Sequence, residues 1–180
     1  MRAATSTSAP SRPQVIALIG AESTGKSTLA TALREHLGAV VVPEVLREFV
    51  SWHGRSPDHW EQFAIFRRQL GREMRARELG GTWVVCDPSA AMTAIYSQAY
   101  FADHSLQPAA RSLLDGCYRV LWCRPDIPWS ADAGQRDGPR IRERVDAILA
   151  NFVSTLQVPP GQVRGAAPQV RLASALKALG

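Results

Sequence analysis

Residues 20–28 read Gly20-Ala-Glu-Ser-Thr-Gly-Lys-Ser-Thr28, and the first eight match the pattern G-x-x-x-x-G-K-[ST] without deviation. An apolar run, QVIALI, precedes the stretch at residues 14–19, and a segment of helical period, LATALREHL, follows it. The glycines let the backbone curl so that successive N–H groups point at an anion, and the start of the helix adds partial positive charge. The stretch therefore predicts a loop between a strand and a helix that holds the phosphates of a nucleotide.

Two side chains of this loop have specific predicted roles. Lys26 reaches the β- and γ-phosphates, and the Ser27 hydroxyl is a ligand of Mg²⁺. Lys26 and Lys177 are the only lysines among 21 basic residues, and the compact charge of a lysine suits a site crowded with phosphate oxygens. We therefore expect ATP and Mg²⁺ as cofactors. The predicted nucleotide contacts of the loop are Gly20, Ala21, Glu22, Ser23, Thr24, Gly25, Lys26, Ser27 and Thr28.

The composition predicts an ordinary globular protein. The chain has 180 residues, 46% hydrophobic and 21% charged, and no apolar run is long enough to span a bilayer. We expect residues 1–13 to form a flexible polar lead and residues 14–180 to form a single domain. The three cysteines, Cys86, Cys117 and Cys123, follow neither a disulfide framework nor a metal-ligand spacing, which favours a cytoplasmic location.

The charge gives little information about macromolecular partners. The formal net charge is +5, but no basic stripe alternates with aromatic residues in the way that binding of a single strand requires. We expect neither a nucleic acid nor a membrane as a partner, and a small nucleoside-like molecule as the substrate. The sequence does not specify an oligomeric state.

Apolar runs alternate with helical segments, which is typical of a three-layer α/β fold around a parallel sheet. The predicted strands are Gln14–Ile19, Ala39–Pro43, Thr82–Cys86, Tyr118–Cys123 and Gln162–Gly165. The predicted helices run from Gly25 to Leu37, Pro57 to Leu79, Ser89 to Phe101, from Asp137 onward, and from Val170 to Leu179. With the loop at residues 20–28, this pattern predicts a P-loop NTPase fold with the strand order 2-3-1-4-5.

The second predicted helix has clear signals at its start. Ser56 suits its N-cap and Pro57 its first position. Helical spacing assigns it a buried apolar face made of Trp60, Phe63, Leu70 and Met74.

Acidic residues follow two of the predicted strands. Asp87 ends the run at residues 82–86 and is predicted to hold the Mg²⁺ shell. Glu44 ends the run at residues 39–43 and should lie at the same sheet edge, where folds of this kind bind ligands. There it would accept a proton from a substrate hydroxyl. Arg47, on the same helical face as Glu44, is predicted to hold a substrate or phosphate oxygen.

Residues 130–144 form a polar, glycine-containing stretch that leads into an arginine-rich helix, and they predict a short lid. Arg136, in a catalytic role, and Arg140, in nucleotide binding, are expected to close on the triphosphate and exclude water. For Arg142 and Arg144 we favour a solvated helix face.

Three aromatic residues near the predicted cleft have different expected roles. Trp129 either stacks on a heteroaromatic substrate ring or packs under its turn. Tyr96 is predicted to contact the substrate, whereas core packing is favoured for Tyr100.

Several of these segments, taken together and in this order, resemble the ribosylnicotinamide kinase domain of NadR-type bacterial proteins. The segments are GAESTGKSTLA, VPEVLREF, Cys86-Asp87 with TAIYS at residues 93–97, and PDIPW followed by RDG. The resemblance implies a P-loop kinase with a five-stranded parallel sheet that phosphorylates nicotinamide riboside with Mg·ATP. It also implies that Asp87 serves metal or substrate, that Glu44 and Trp129 line the riboside pocket, and that Arg136 belongs to the lid.

The chain departs from this family pattern on the acceptor side, because Val45 stands where an aromatic residue is expected and no second acid follows Asp87. The predicted reaction is transfer of the γ-phosphoryl group of ATP to a hydroxyl of a nucleoside-like acceptor. Its catalytic residues would be Lys26, Glu44, Asp87 and Arg136. Two alternatives stay open: another nucleoside or small-molecule kinase of the same fold, and a regulatory ATPase without an acceptor.

Overall fold

The protein is built around one parallel sheet of five strands in the order β2-β3-β1-β4-β5, as predicted. A computed structural model describes residues 13–79, 81–117, 119–130 and 138–180, so nearly all of the predicted N-terminal lead lies outside the described residues. The strands are β1 (Gln14–Ile19), β2 (Val40–Pro43), β3 (Trp83–Asp87), β4 (Arg119–Cys123) and β5 (Gly161–Val163). Each predicted strand is found, with its ends shifted by no more than two residues.

Strand β1 is the centre of the sheet because both of its faces are apolar. Ala17 and Ile19 point into the core on one side, and Ile16 and Leu18 point into the core on the other. The strand pairs with β3 on one side and β4 on the other. Because all five strands run in the same direction, the segments that follow β1, β2 and β3 emerge at one edge of the sheet.

Helices cover both faces of the sheet and make the two outer layers. Helices α1 and α7 pack on one face, and α3, α4, α5 and α6 contribute to the core on the other. None of the described helices is both long enough and apolar enough to cross a bilayer. The helices are α1 (Lys26–Leu37), α2 (Val45–His53), α3 (Gln62–Glu78), α4 (Ala91–Phe101), α5 (Gln107–Asp115), α6 (Pro139–Val153) and α7 (Pro168–Leu179).

The second predicted helix differs from the structure in its first residue and in its buried face. The helix is α3 and begins at Gln62, after a short 3-10 turn at His59–Glu61 that is closed by a capping box between Asp58 and Glu61. Ser56 is therefore not its N-cap.

The predicted apolar face of this helix is largely exposed. Trp60, Phe63 and Met74 are 77%, 59% and 54% exposed, whereas Ile65 and Phe66 are buried. The reason is that α3 packs against α4 and the end of β2, where backbone groups need polar partners. Helices α2 and α5 were not predicted as separate elements.

Candidate nucleotide and acceptor site

The loop between β1 and α1 has the conformation that its glycines require. Gly25 precedes α1 with φ 71°, in the left-handed region, and Gly20 has φ 149°. A Cβ atom at Gly20 would lie 2.7 Å from the carbonyl oxygen of Cys123, and one at Gly25 would lie 2.9 Å from Cδ1 of Ile127. Side chains at these positions would therefore force the loop away from β4 and from the segment that follows it.

Hydrogen bonds within the loop hold its curved shape. The Lys26 ammonium group donates to the carbonyl oxygens of Gly20 at 2.9 Å and Ala21 at 2.7 Å, and the Thr24 hydroxyl donates to Ala21 at 2.7 Å. The Ser23 hydroxyl donates to the carbonyl oxygen of Ser130 at 2.7 Å, which joins this loop to the segment after β4. Since an ammonium group has three donors, Lys26 keeps one for a ligand.

A cavity of about 320 Å³ lies over the loop. It is lined by the loop itself, by acidic and basic residues that follow β2 and β3, and by the segment after β4. All nine predicted nucleotide contacts except Gly20 and Ala21 line this cavity, together with Glu44, Arg47, Asp87, Pro88, Tyr96, Ile127, Pro128 and Ser130.

The two predicted carboxylates lie at the same sheet edge, at the ends of paired strands. Pro43 of β2 is in register with Asp87 of β3, and Glu44 follows Pro43 directly. Ser27 and Asp87 both line the smaller cavity, the Ser27 hydroxyl acts to lower the pKa of Asp87, and Oδ1 of Asp87 is buried without a hydrogen-bond partner among the described residues. The structure therefore brings together the two side chains that were predicted as Mg²⁺ ligands.

Burial controls the protonation of these groups. It raises the pKa values of Glu44 and Asp87 above their usual range, although the nearby charges of Lys26 and Arg47 act in the opposite direction. Arg47 also donates to Glu44, with Nε 3.1 Å from Oε2. Burial lowers the pKa of Lys26, and the carboxylates around it partly offset this effect. The site thus couples one ammonium group to two carboxyl groups of raised proton affinity.

A second, larger cavity of about 570 Å³ adjoins the first. Its walls come from α2, α3 and α4 and include the aromatic side chains of Tyr96, Tyr100 and Phe101. Five residues line both cavities: Glu22, Glu44, Arg47, Pro88 and Tyr96. The carboxylate of Glu44 therefore belongs to a wall that the two cavities share.

Of the remaining predicted site residues, some line a cavity and others do not. Tyr96 and Arg47 line the larger cavity, and so does Tyr100, for which core packing was the wrong expectation. Trp129 is half-buried and is not among the residues that line either cavity.

The predicted lid is described only in part. Arg136 lies outside the described residues, and Arg140 is exposed in the first turn of α6. Arg142 is 7% exposed rather than solvated, and its Nη2 donates to the carbonyl oxygen of Ile127 at 2.7 Å. Its position follows from the helical period, because it shares the buried face of α6 with Val145 and Leu149.

Two buried polar residues that support the site were not predicted from the sequence. Gln69 of α3 accepts a hydrogen bond from the backbone N–H of Val45 at 2.7 Å and donates to the carbonyl oxygens of Pro43 and Pro88. It therefore fixes the backbone on both sides of Glu44 and just after Asp87. No local pattern marks Gln69, since its partners lie far away in the sequence.

Arg171 of α7 joins three loops at the opposite side of the nucleotide loop. It is 2% exposed and donates to the carbonyl oxygens of Thr24 at 2.7 Å and Gly165 at 2.8 Å, and more weakly to that of Arg124 at 3.4 Å. A signal was present in the sequence, because Arg171 stands four residues before the buried Ala175 on one apolar helix face.

The sheet order and the loop after β1 together define a P-loop nucleotide-binding protein. A family model described as an AAA domain matches residues 15–169, and the chain belongs to that family. Comparison with curated proteins finds no match to the sequence.

Solved structures show the same fold at low identity. A NadR protein in complex with NAD and AMP-PNP has a TM-score of 0.71 at 17% identity, and the match covers 93% of this chain and 50% of that one. The chain thus spans about half the length of this NadR chain. A deoxyadenosine kinase from M. mycoides has a TM-score of 0.67 at 13% identity, with 91% and 97% of the chains covered. A thymidylate kinase from Ehrlichia chaffeensis has a TM-score of 0.69 at 13% identity, with 94% and 100% covered.

These comparisons confirm the predicted fold class and the resemblance to NadR-type proteins at the level of the fold. The chain has the fold of P-loop nucleoside and nucleotide kinases.

Proposed function

We propose that this protein transfers the γ-phosphoryl group of ATP to a hydroxyl of a small nucleoside, with nicotinamide riboside as the first candidate. The observation that carries the proposal is the wall shared by the two cavities. A loop suited to a triphosphate opens onto a larger cavity with aromatic walls, and Glu44 lies where the two meet. A NadR protein solved in complex with NR has the same fold, which supports this acceptor as the first to test.

In the proposed reaction, ATP occupies the smaller cavity with its phosphates against the loop amides and Lys26. The acceptor hydroxyl attacks the γ-phosphorus in line, the new P–O bond forms, and the bond to the β-phosphate oxygen breaks to release ADP. Glu44 accepts the proton of the hydroxyl, and its raised pKa makes the carboxylate a better base than an exposed glutamate. Arg47 orients Glu44 through their ion pair.

Ser27 and Asp87 fit the proposed Mg²⁺ site because they offer adjacent hydroxyl and carboxylate oxygens, the ligands that this ion prefers. Within the described residues no group of three or more acidic, histidine or cysteine side chains could hold a metal. The protein would thus supply few ligands, as in sites where phosphate oxygens and water complete the coordination. Bound there, Mg²⁺ would neutralise charge on the phosphates.

The test is a nucleoside panel incubated with the protein and Mg·ATP, with ADP release and product mass measured together. Conversion of nicotinamide riboside to a product heavier by one phosphoryl group is the expected result. Phosphorylation of a different nucleoside alone would show that the first acceptor is wrong and the kinase reaction right. ATP hydrolysis that no nucleoside accelerates would overturn the proposal in favour of an ATPase without an acceptor.

The two lysines of the chain provide a matched control for this assay. Lys26→Ala should lower turnover by roughly a thousandfold or more with an unchanged circular dichroism spectrum, because it removes charge stabilisation in the transition state. Lys177→Ala changes the exposed lysine on α7 and should retain the wild-type rate.

A further inference from the structure

Helix α3 buries a stripe of three polar side chains beside the larger cavity. Gln62, Gln69 and Glu73 are 5%, 3% and 0% exposed, and their spacing of seven and four residues places them on one face of the helix. A buried polar face is costly unless each group has a hydrogen-bond partner.

Two of the three side chains bind the protein backbone, although Oε2 of Glu73 is buried without a hydrogen-bond partner among the described residues. Gln69 binds the N–H of Val45, and Glu73 accepts a hydrogen bond from the N–H of Ala90 at the start of α4. Gln62 differs, since its amide has no hydrogen-bond partner among the described residues, although it lines the larger cavity. The helix thus presents to this cavity one buried amide whose donor and acceptor have no partner in the part of the chain that the structure describes.

The position of Gln62 separates it from the site of phosphoryl transfer. It lies two turns before Gln69, about 10 Å along the helix axis, and Gln69 contacts the backbone next to Glu44 and Asp87. Gln62, Tyr100 and Phe101 all line the larger cavity, and none of them lines the smaller one. An acceptor with its hydroxyl at Glu44 and its ring against these aromatic side chains would extend through the larger cavity towards Gln62.

We propose that Gln62 determines acceptor specificity by pairing its side-chain amide with a carboxamide, or with the amide-like edge of a heterocycle, at the end of the acceptor remote from the reactive hydroxyl. This inference rests on the proposed kinase function and adds the chemical group that the cavity selects. A primary amide offers one donor and one acceptor, so the best partner offers the complementary pair. A ring without such an edge leaves the buried amide unsatisfied and is rejected.

The test compares Gln62→Met with the wild type on two matched pairs of substrates. Each pair keeps the ribose hydroxyls and removes the amide edge from one member: nicotinamide riboside with pyridinium riboside, and cytidine with phenyl riboside. Methionine keeps the length of the side chain and its packing but loses both hydrogen bonds. For the pair that the wild type phosphorylates, we expect a preference in kcat/KM of about 10- to 100-fold for the amide-bearing member. In Gln62→Met the preference should fall below about threefold, chiefly because kcat/KM for the amide-bearing member decreases.

Two further variants keep the test decisive. Gln157→Met makes the same change at an exposed glutamine after α6 and should keep the full preference. Gln62→Glu preserves the shape of the side chain if Gln62→Met does not fold, and it should also lower the preference because a carboxylate cannot donate. An equal loss of kcat/KM for both members of a pair, or a wild type without preference, would overturn the inference and leave the kinase proposal intact. Absence of phosphorylation of every nucleoside would overturn both.

Discussion

Glu44 lies beside positive charges and still has a raised pKa, two properties that rarely occur together in a carboxyl group at a protein surface. It is close to the positive charges of Lys26 and Arg47, yet burial keeps its pKa above the usual range of a glutamate. These two properties suit the carboxylate to the proposed role of accepting a proton from the acceptor hydroxyl. The short apolar run before Glu44 predicted its place at the sheet edge, but not the balance of charge and burial around it.

Replacement of Glu44 by glutamine should lower kcat by about 10²- to 10⁴-fold while the dissociation constant of ATP stays nearly constant, because only proton acceptance is lost. In the wild type, kcat/KM should decline as the pH falls through a pKa higher than 4.5, since protonation removes the base. Steady-state rates across pH 4.5–8 test both points, and Glu35→Gln on the exposed face of α1 is the control. Full activity in the Glu44 variant would exclude the residue as the base.

For helix α3, the spacing of apolar residues predicted the helix but not which of its faces is buried. The apolar residues Trp60, Phe63 and Met74 follow a helical spacing, but they face outward because Gln69 and Glu73 are needed to satisfy backbone groups of β2 and α4. Those backbone groups are brought to α3 by the folding of distant segments. A local pattern cannot contain that information, so the helix was predicted and its orientation was not.

Gln69 should act as a positioning residue for both carboxylates. Gln69→Met removes the hydrogen bonds to Pro43, Val45 and Pro88, so we expect kcat to fall about 10- to 100-fold with ATP affinity changed less than about threefold. The split between kcat and ATP binding distinguishes this role from a general loss of structure. The pH at which activity is half-maximal should also move, since Glu44 shifts relative to Lys26. An equal loss in ATP affinity would contradict this assignment.

On the other side of the sheet, α7 supports the nucleotide loop through one guanidinium group. Arg171→Met leaves the carbonyl oxygens of Thr24 and Gly165 without a donor, which should lower the free energy of unfolding by about 2–4 kcal/mol and weaken ATP binding about tenfold or more. Arg171→Lys should restore part of both. Urea unfolding and calorimetric titration with ATP measure the two effects, with the exposed Arg34→Met as control. Unchanged ATP affinity would show that α7 is only a packing element.

At the scale of the whole molecule, the sequence predicted the architecture well because the signals of an α/β fold are local and repeated. Apolar strands, helices of regular period and the loop at residues 20–28 identify a P-loop fold, and the strand order expected of that fold is the one that the structure has. The meeting of Glu44, Asp87 and Ser27 followed from the rule that parallel strands end at one edge. The acceptor cavity was predicted less completely, since α2, α3 and α4 line it with residues that no single segment identifies.

The free energy of unfolding should depend on pH through Glu73. Burial, only partly offset by the Ala90 N–H, Arg77 and Gln69, raises its pKa from 4.5 to about 7, and Cys86 also faces it. In the unfolded chain the carboxyl group ionises above pH 4.5, whereas in the folded protein it keeps its proton up to about pH 7. Its contribution to stability is therefore complete at low pH, declines between these two values and stays low above them.

Urea unfolding at pH 5, 6, 7 and 8 tests this dependence. We expect the wild type to lose up to roughly 3 kcal/mol more than Glu73→Gln across this range, because the glutamine has no proton to lose. Other titrating groups are common to both proteins and cancel in the difference. Parallel curves for the two proteins would show that Glu73 is ionised in the folded state.

The wall common to the two cavities has a consequence for how the two substrates are taken up. In the proposed reaction, a ligand in one cavity would contact Arg47 and Tyr96, which also line the other cavity. Donor and acceptor should therefore bind with a shared free energy of interaction, and thermodynamic linkage makes its size the same in either order of addition. Turnover would then depend on simultaneous saturation, so the cell could regulate this protein through the supply of either substrate alone.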